Sequence, residues 1–427
     1  MNADFGRLPP GLPAGAVVDL DAVRDNVGLL RERAGSAAVM AVVKADAYGH
    51  GLLPCARAAL AGGASWLGVA QLSEALALRS AGIDAPVLAW LTVPGDAYPA
   101  AVAAGIDIGV STDWALAEVA AAAGLVGAVA RVHLKVDTGL NRNGATAENW
   151  PDLVDSGLKL QAEGLVQVFG VFSHFAYADD PVHPSVEAQT AAFVAAIELA
   201  ERRGARFEVR HLANSAAALT NPATHFDVIR PGIAVYGLSP VPDLATSAEL
   251  GLRPAMTLLG RVAHVKHVAA GQGISYGHTY TTRRPTTVAL LPIGYADGLP
   301  RHAGDGGPVQ LVGQRHRIAG RVCMDQFVID LANQPDGVDL DDAAELADVQ
   351  PGDVAVLFGG APGQPTAQDW AEAAGTISHE IVSRLGPRIP RIYVGTAGTT
   401  ERTEETGTTT GIAEETATTT GTETDHG

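Results

Sequence analysis

Between residue 15 and about residue 240, short apolar runs alternate eight times with Ala- and Leu-rich segments of helical period. That alternation restricts the fold more than any other feature of the chain. The runs cover 39–43, 66–70, 86–91, 107–110, 131–137, 166–174, 207–214 and 226–237. Apolar strands separated by helices are the pattern of a parallel sheet covered on its faces. Gly82, Gly105, Gly124 and Gly204 mark joins between the units. Eight units predict a (β/α)8 barrel. A doubly wound sheet is the alternative, weakened because no Gly-x-Gly-x-x-Gly turn follows an early strand.

After about residue 250 the strands become β-branched and closely spaced, at 257–268, 286–293, 309–312, 327–331 and 354–357. Gly-rich turns separate them, so a second, mainly β domain is expected over 251–397, closed by a helical segment at 367–385. The barrel is placed at 15–250, and residues 1–14 are expected to pair with the β domain. From residue 398 the chain is Thr, Glu and Gly with almost nothing to bury, and a disordered tail is expected there.

The formal charge of −18 argues against nucleic acid or an anionic membrane surface as a partner. From Thr399 onward seven acids and one arginine give −6, which leaves −12 on the body. Two cysteines, Cys55 and Cys323, cannot build a disulfide framework, and no apolar run is long enough for a signal peptide or a membrane span. A cytoplasmic protein is expected, with no metal site.

In a barrel the chemistry gathers at the C-terminal ends of the strands. Lys44 stands there after the first run, within Lys44-Ala45-Asp46-Ala47-Tyr48-Gly49-His50-Gly51. A lysine leaving a core strand needs a partner, and a carbonyl cofactor is one; a side chain turned into solvent is the other reading. His174 follows the sixth run, Asn214 and Ser215 the seventh, and Arg230-Pro231-Gly232-Ile233 belongs to the eighth. Taken singly, these are equally a core histidine, a helix cap and half of a salt bridge. Loops after the seventh and eighth strands commonly hold phosphate, and Gly232 permits close approach of an anion.

The lysine loop resembles the cofactor-lysine loop of bacterial alanine racemases, enzymes that use pyridoxal phosphate. Further stretches match in order: Lys135-Val136-Asp137-Thr138-Gly139-Leu140-Asn141-Arg142, Ala213-Asn214-Ser215-Ala216, Arg230-Pro231-Gly232-Ile233, Ile274-Ser275-Tyr276-Gly277, Gly294-Tyr295-Ala296-Asp297-Gly298, Cys323-Met324-Asp325-Gln326 and Arg391-Ile392-Tyr393. The resemblance covers residues 15 to about 395. Leu140 departs from it, where the family often has methionine.

The resemblance implies that Lys44 is the Schiff-base lysine and Tyr276 the opposing acid/base group, supplied by a second subunit of a homodimer. Tyr48, Ser215, Gly232, Ile233 and Tyr393 match positions that hold the cofactor phosphate. Arg230 matches the arginine facing the pyridine nitrogen, and His174 the residue linking it toward the tyrosine. Arg142 and the Met324 backbone match groups that hold the substrate carboxylate. Arg301, Arg321 and Asp179 resemble residues at the substrate entrance, and Lys135 a lysine that can carry a carbamate. The implied activity is two-base racemisation of alanine through pyridoxal phosphate, supplying D-alanine to the bacterial cell wall. A racemase of broader amino-acid specificity, a fold-related decarboxylase and a non-catalytic pyridoxal-phosphate carrier are the rivals.

Overall fold

The computed structural model describes residues 8–332 and 348–396; the expected Thr/Glu/Gly tail lies outside them. Strand β1 (Ala14–Asp19) comes first, followed by the helix Leu20–Ala34, whose N-terminus is capped by Asp19 accepting from Ala22 N at 3.0 Å. Next are β2 (Ala38–Val42), β3 (Trp66–Val69), β4 (Val87–Ala89), β5 (Asp107–Val110), β6 (Ala130–Lys135), β7 (Val166–Phe172), β8 (Val209–His211) and β9 (Val228–Ile229). These pair in parallel in the order β8-β7-β6-β5-β4-β3-β2-β9. Backbone bonds from Asp227 N to Arg210 O (3.0 Å) and from Arg230 N to Ala213 O (2.8 Å) draw the two ends together. The result is a nearly closed eight-stranded barrel, as the alternation predicts.

Met40, Trp66, Leu88 and Val228 fill part of the barrel interior, packed against Trp90 and Phe169. A Cβ on Gly68 would press on the Trp90 ring, so glycine there makes room for the indole. Each fully buried apolar side chain of this size contributes about 1.5–3 kcal/mol before the entropy of ordering is subtracted.

The second domain follows as β10 (Met256–Arg261), β11 (His264–Val268), β12 (Gly273–Ile274), β13 (Tyr280–Thr281), β14 (Thr286–Leu291), β15 (Pro308–Leu311), β16 (Gln314–Arg317), β17 (Phe327–Asp330), β18 (Val354–Phe358) and β19 (Arg391–Val394). Its largest sheet has the order β16-β15-β18-β10-β1-β19. The barrel start expected at residue 15 therefore moves. Strand β1 lies antiparallel to β10 (Val17 opposite Thr257) and parallel to β19 (Val18 opposite Tyr393), and the barrel portion begins with the helix Leu20–Ala34. The Ala-Gly-Ala-Val-Val-Asp segment is buried throughout, and its pairing partners assign it to the second domain's sheet. No helix among the described residues is long and apolar enough to cross a membrane.

Candidate active site

A cavity of about 940 Å³ opens at the C-terminal end of the barrel. Lys44, Tyr48, Lys135, Arg142, His174, Asn214, Ser215, Arg230, Gly232 and Ile233 all line it. Residues far apart in sequence thus converge because each ends or follows a parallel strand.

Lys44 leaves β2 into an unusual turn. Ala45, Asp46, Ala47 and Tyr48 have φ of 54°, 53°, 53° and 54°, one turn of left-handed helix built without glycine. Such backbone costs roughly 1–2 kcal/mol per residue and persists only where the surroundings hold it. Ala45 N donates to Glu74 Oε1 at 2.6 Å, and Asp46 Oδ1 accepts from Leu52 N at 2.8 Å. His50 Nδ1 sits 3.0 Å from both Ala47 O and Tyr48 O, so it carries the proton and donates to the turn's carbonyls. Burial lowers the His50 pKa to about 4, which keeps the ring neutral against Tyr236 at 4.5 Å.

Burial also lowers the Lys44 pKa, and the Arg142 charge lowers it further, while Glu74 works in the other direction. Lys135 falls to about 8 through burial, Arg230 and Arg142. Lys44 lines the cavity, and Lys135 emerges as a second strand-end lysine beside it.

Arg230 is buried, and burial lowers its pKa to about 9, still cationic at neutral pH. It donates to Ser173 O (2.7 Å), Leu212 O (3.2 Å) and His211 Nδ1 (3.0 Å), and lies 3.4 Å from His174 Nδ1. Burial and the Arg230 charge hold His174 neutral. Ser215 Oγ accepts from Gly232 N at 2.7 Å and from Ala234 N at 3.3 Å. A Cβ on Gly232 would fall on the Tyr48 hydroxyl, so this close approach requires glycine. Burial pushes the Tyr48 phenol upward, so it remains a protonated donor. Asn214 caps the helix Ser215–Thr220, its side chain accepting from Ala217 N at 3.1 Å.

Three expected site residues are not brought to this cavity. Tyr276 is 72% exposed and Met324 53% exposed on the β domain, outside the cavity lining. Tyr393 lies on β19, and its ring and hydroxyl pack on Gly51 rather than lining the cavity. Of the expected entrance residues, Asp179 lines the cavity, whereas Arg301 and Arg321 are exposed elsewhere on the β domain. His379 lines the cavity although the sequence reading passed over it. Its ring centroid is 6.1 Å from that of Tyr48, and burial together with Lys44 lowers its pKa to about 4. The only sequence signal was its place in a helical segment closing the second domain.

Comparison with known proteins agrees over nearly the whole length. The alanine racemase N-terminal domain matches residues 18–240, and the alanine racemase C-terminal domain matches residues 255–393. An alanine racemase of Frankia casuarinae is 56% identical over 391 residues, covering 90% of this chain and 98% of that protein. One from Streptomyces coelicolor is 54% identical over 389 residues, covering 90% and 96%. The crystal structure of alanine racemase from D-cycloserine-producing Streptomyces lavendulae superimposes with a TM-score of 0.86 at 52% identity, covering 91% of this chain and 98% of that one. With both of its domains matched at such identity, the chain belongs to the alanine racemase family.

Proposed function

We propose that this chain interconverts L- and D-alanine with pyridoxal 5′-phosphate as its cofactor, held by Lys44. The observation that carries the reading is the joining, in one cavity, of a lysine of lowered pKa, an anion cradle and a cluster of cations. The cradle fits a phosphate. Ser215 Oγ already accepts from two backbone N–H groups, which leaves its own O–H to donate into the cavity, beside the protonated phenol of Tyr48.

When bound, the cofactor supplies the electron sink that makes the Cα–H bond of alanine acidic. Arg142 binds the substrate carboxylate and orients Cα toward Lys44. Lys44 Nζ, whose lowered pKa eases loss of its proton, moves the proton at Cα on one face. Inversion needs a second acid/base group on the other face, and the described cavity of a single chain holds no tyrosine except Tyr48, which burial keeps protonated. The partner subunit's Tyr276 takes that part in a homodimer, and the Met324 backbone of the same subunit adds to the carboxylate site; both residues are exposed on their own chain. Arg230, cationic, buried and at the cavity wall, would oppose protonation of a ring nitrogen placed next to it by like-charge repulsion. That disfavours a decarboxylase, which wants an acid there. The product suits cell-wall synthesis in a bacterial cytoplasm.

Absorbance of the purified protein, followed by a chiral assay starting from L-alanine, tests this. Conversion toward an equal mixture is expected. A coloured protein with no conversion would establish the carrier, and comparable kcat/KM for alanine, serine and lysine would establish broad specificity.

A further inference from the structure

The interior of a (β/α)8 barrel is ordinarily filled with layers of branched apolar side chains. Here a line of polar groups crosses it. Arg230 Nη1 lies 3.0 Å from His211 Nδ1, and His211 Nε2 lies 2.9 Å from His133 Nδ1. His133 Nε2 faces Asp107 Oδ2 at 3.6 Å, an electrostatic contact longer than a hydrogen bond, and Asp107 takes a two-pronged bond from Arg131, Nε to Oδ1 at 2.5 Å and Nη2 to Oδ2 at 2.6 Å. Asp107 opens β5 and Arg131 lies near the start of β6, so they stand at the floor, whereas Arg230 directly follows β9 at the mouth. His133 and His211 are fully buried, Asp107 is 1% exposed and Arg230 6%.

We infer that Asp107 and His133 are positioning residues for Arg230, acting through His211 along this axis; the inference rests on the role given to Arg230 under the proposed function. Donor and acceptor chemistry fixes the order of protons. Arginine only donates, so His211 Nδ1 accepts and its proton sits on Nε2. That proton is donated to His133 Nδ1, which places the His133 proton on Nε2, facing the Asp107 carboxylate. The opposite arrangement would set two N–H groups against each other. Burial keeps both rings neutral, as the arrangement requires: it outweighs the pull of Asp107 on His133, and the Arg230 charge adds to it at His211.

The geometry around the line leaves the rings little freedom. A Cβ on Gly170 would fall on His133 Nδ1, so the strand passes the ring only as glycine. Trp66 meets His133 edge-on at 5.7 Å, and Phe172 lies flat on His211, 4.9 Å away with an interplanar angle of 1°. Every group to which Arg230 donates is neutral. The carboxylate at the floor therefore serves a buried cation at the mouth by polarising two imidazoles in series. It stays clear of the reacting centre, where a direct carboxylate partner would offset the charge of Arg230.

The test uses the full-length protein labelled with ¹⁵N-histidine, cofactor-free and loaded. Two-bond ¹⁵N–¹H spectra near neutral pH are expected to show His133 and His211 as neutral Nε2–H tautomers. A proton on Nδ1 of either ring, or a doubly protonated ring, would overturn the inference. Asp107→Asn is expected to mix the His133 and His211 tautomers and to lower kcat about tenfold in both directions, with KM for alanine held within about twofold, the scale of losing one close charge contact in a buried setting. Asp107→Glu should recover part of kcat. Unchanged spectra and kcat in Asp107→Asn would also overturn it, and if that variant fails to fold, the spectra of the unsubstituted protein decide. A chain that does not racemise alanine would sink the proposed function and leave the tautomers standing. Wrong tautomers in an active racemase would sink the axis alone.

Discussion

Glu74 holds Ala45 in place: its Oε1 accepts the Ala45 backbone N–H at 2.6 Å, while Oε2 accepts from Ala70 N at 2.9 Å and Gln71 N at 3.0 Å. One carboxylate thus ties the left-handed turn after Lys44 to the loop that follows β3. Two substitutions separate its effects. Glu74→Ala removes the acceptor and should lower stability by about 1–2 kcal/mol in chemical denaturation. Glu74→Gln keeps an acceptor but removes the charge that raises the Lys44 pKa, so modification of Lys44 by an amine reagent should extend to lower pH. An unchanged pH profile in Glu74→Gln would separate Glu74 from the electrostatics of Lys44.

Lys44 and Lys135 face the same cavity with lowered pKa values, so either could compete for an aldehyde. Only Lys44 is carried by the clamped turn beside Tyr48. Borohydride reduction of the loaded protein and peptide mapping should place the cofactor on Lys44, and Lys44→Ala should retain none covalently. Label on Lys135 would reassign the site.

The barrel was legible because its strands are buried on both faces and read as apolar runs, and because the groups at their ends stand next to those runs. The left-handed turn was not. Ala-Asp-Ala-Tyr is compatible with an ordinary helix, and its hand is set by Glu74 and Asp46, contacts that sequence spacing does not reveal. His133 sits within the run 131–137 and looked like part of it; its direction into the barrel becomes meaningful only beside His211. Strand β1 was missed for a related reason, since a buried apolar strand carries no mark of which sheet it joins. His379 reaches the cavity from the second domain through domain packing.

Tyr276 and Lys44 should serve opposite hands of the substrate. Tyr276→Phe is expected to slow Cα-deuterium exchange of L-alanine about a hundredfold or more, and of D-alanine by less, the usual scale for losing one positioned acid/base group. Mixing Tyr276→Phe with Lys44→Ala subunits should restore some activity, because each hybrid dimer would rebuild one intact site. Equal losses for both enantiomers would refute the two-base assignment, and failure of the mixture would refute the shared site.

Lys135 gives a pH dependence in the alkaline range. Its side chain is buried near Arg230 and Arg142, and its pKa falls from the ordinary 10.5 to about 8. A group whose folded pKa is depressed stabilises the fold above the unfolded value, loses that contribution as pH falls from 10.5 toward 8, and costs a constant amount below 8. Lys135→Met should therefore stabilise the protein at pH 7 by about 2–3 kcal/mol in buffer free of carbon dioxide, with the gain gone above pH 10.5. A neutral amine in this setting is also the form that reacts with carbon dioxide. The resulting carbamate would exchange a cation for an anion among Lys44, Arg142 and Arg230, and would hold Arg142 by charge-assisted hydrogen bonds. Added bicarbonate should accordingly stabilise the parent protein and lower its KM for alanine, while leaving Lys135→Met untouched. Lys135→Ala should raise KM, and acetate or another small carboxylate should restore part of the activity by taking the carbamate's place. Full activity in Lys135→Ala with an unchanged KM would show that Arg142 is positioned without an anion at Lys135, leaving Asp137 as its negative neighbour.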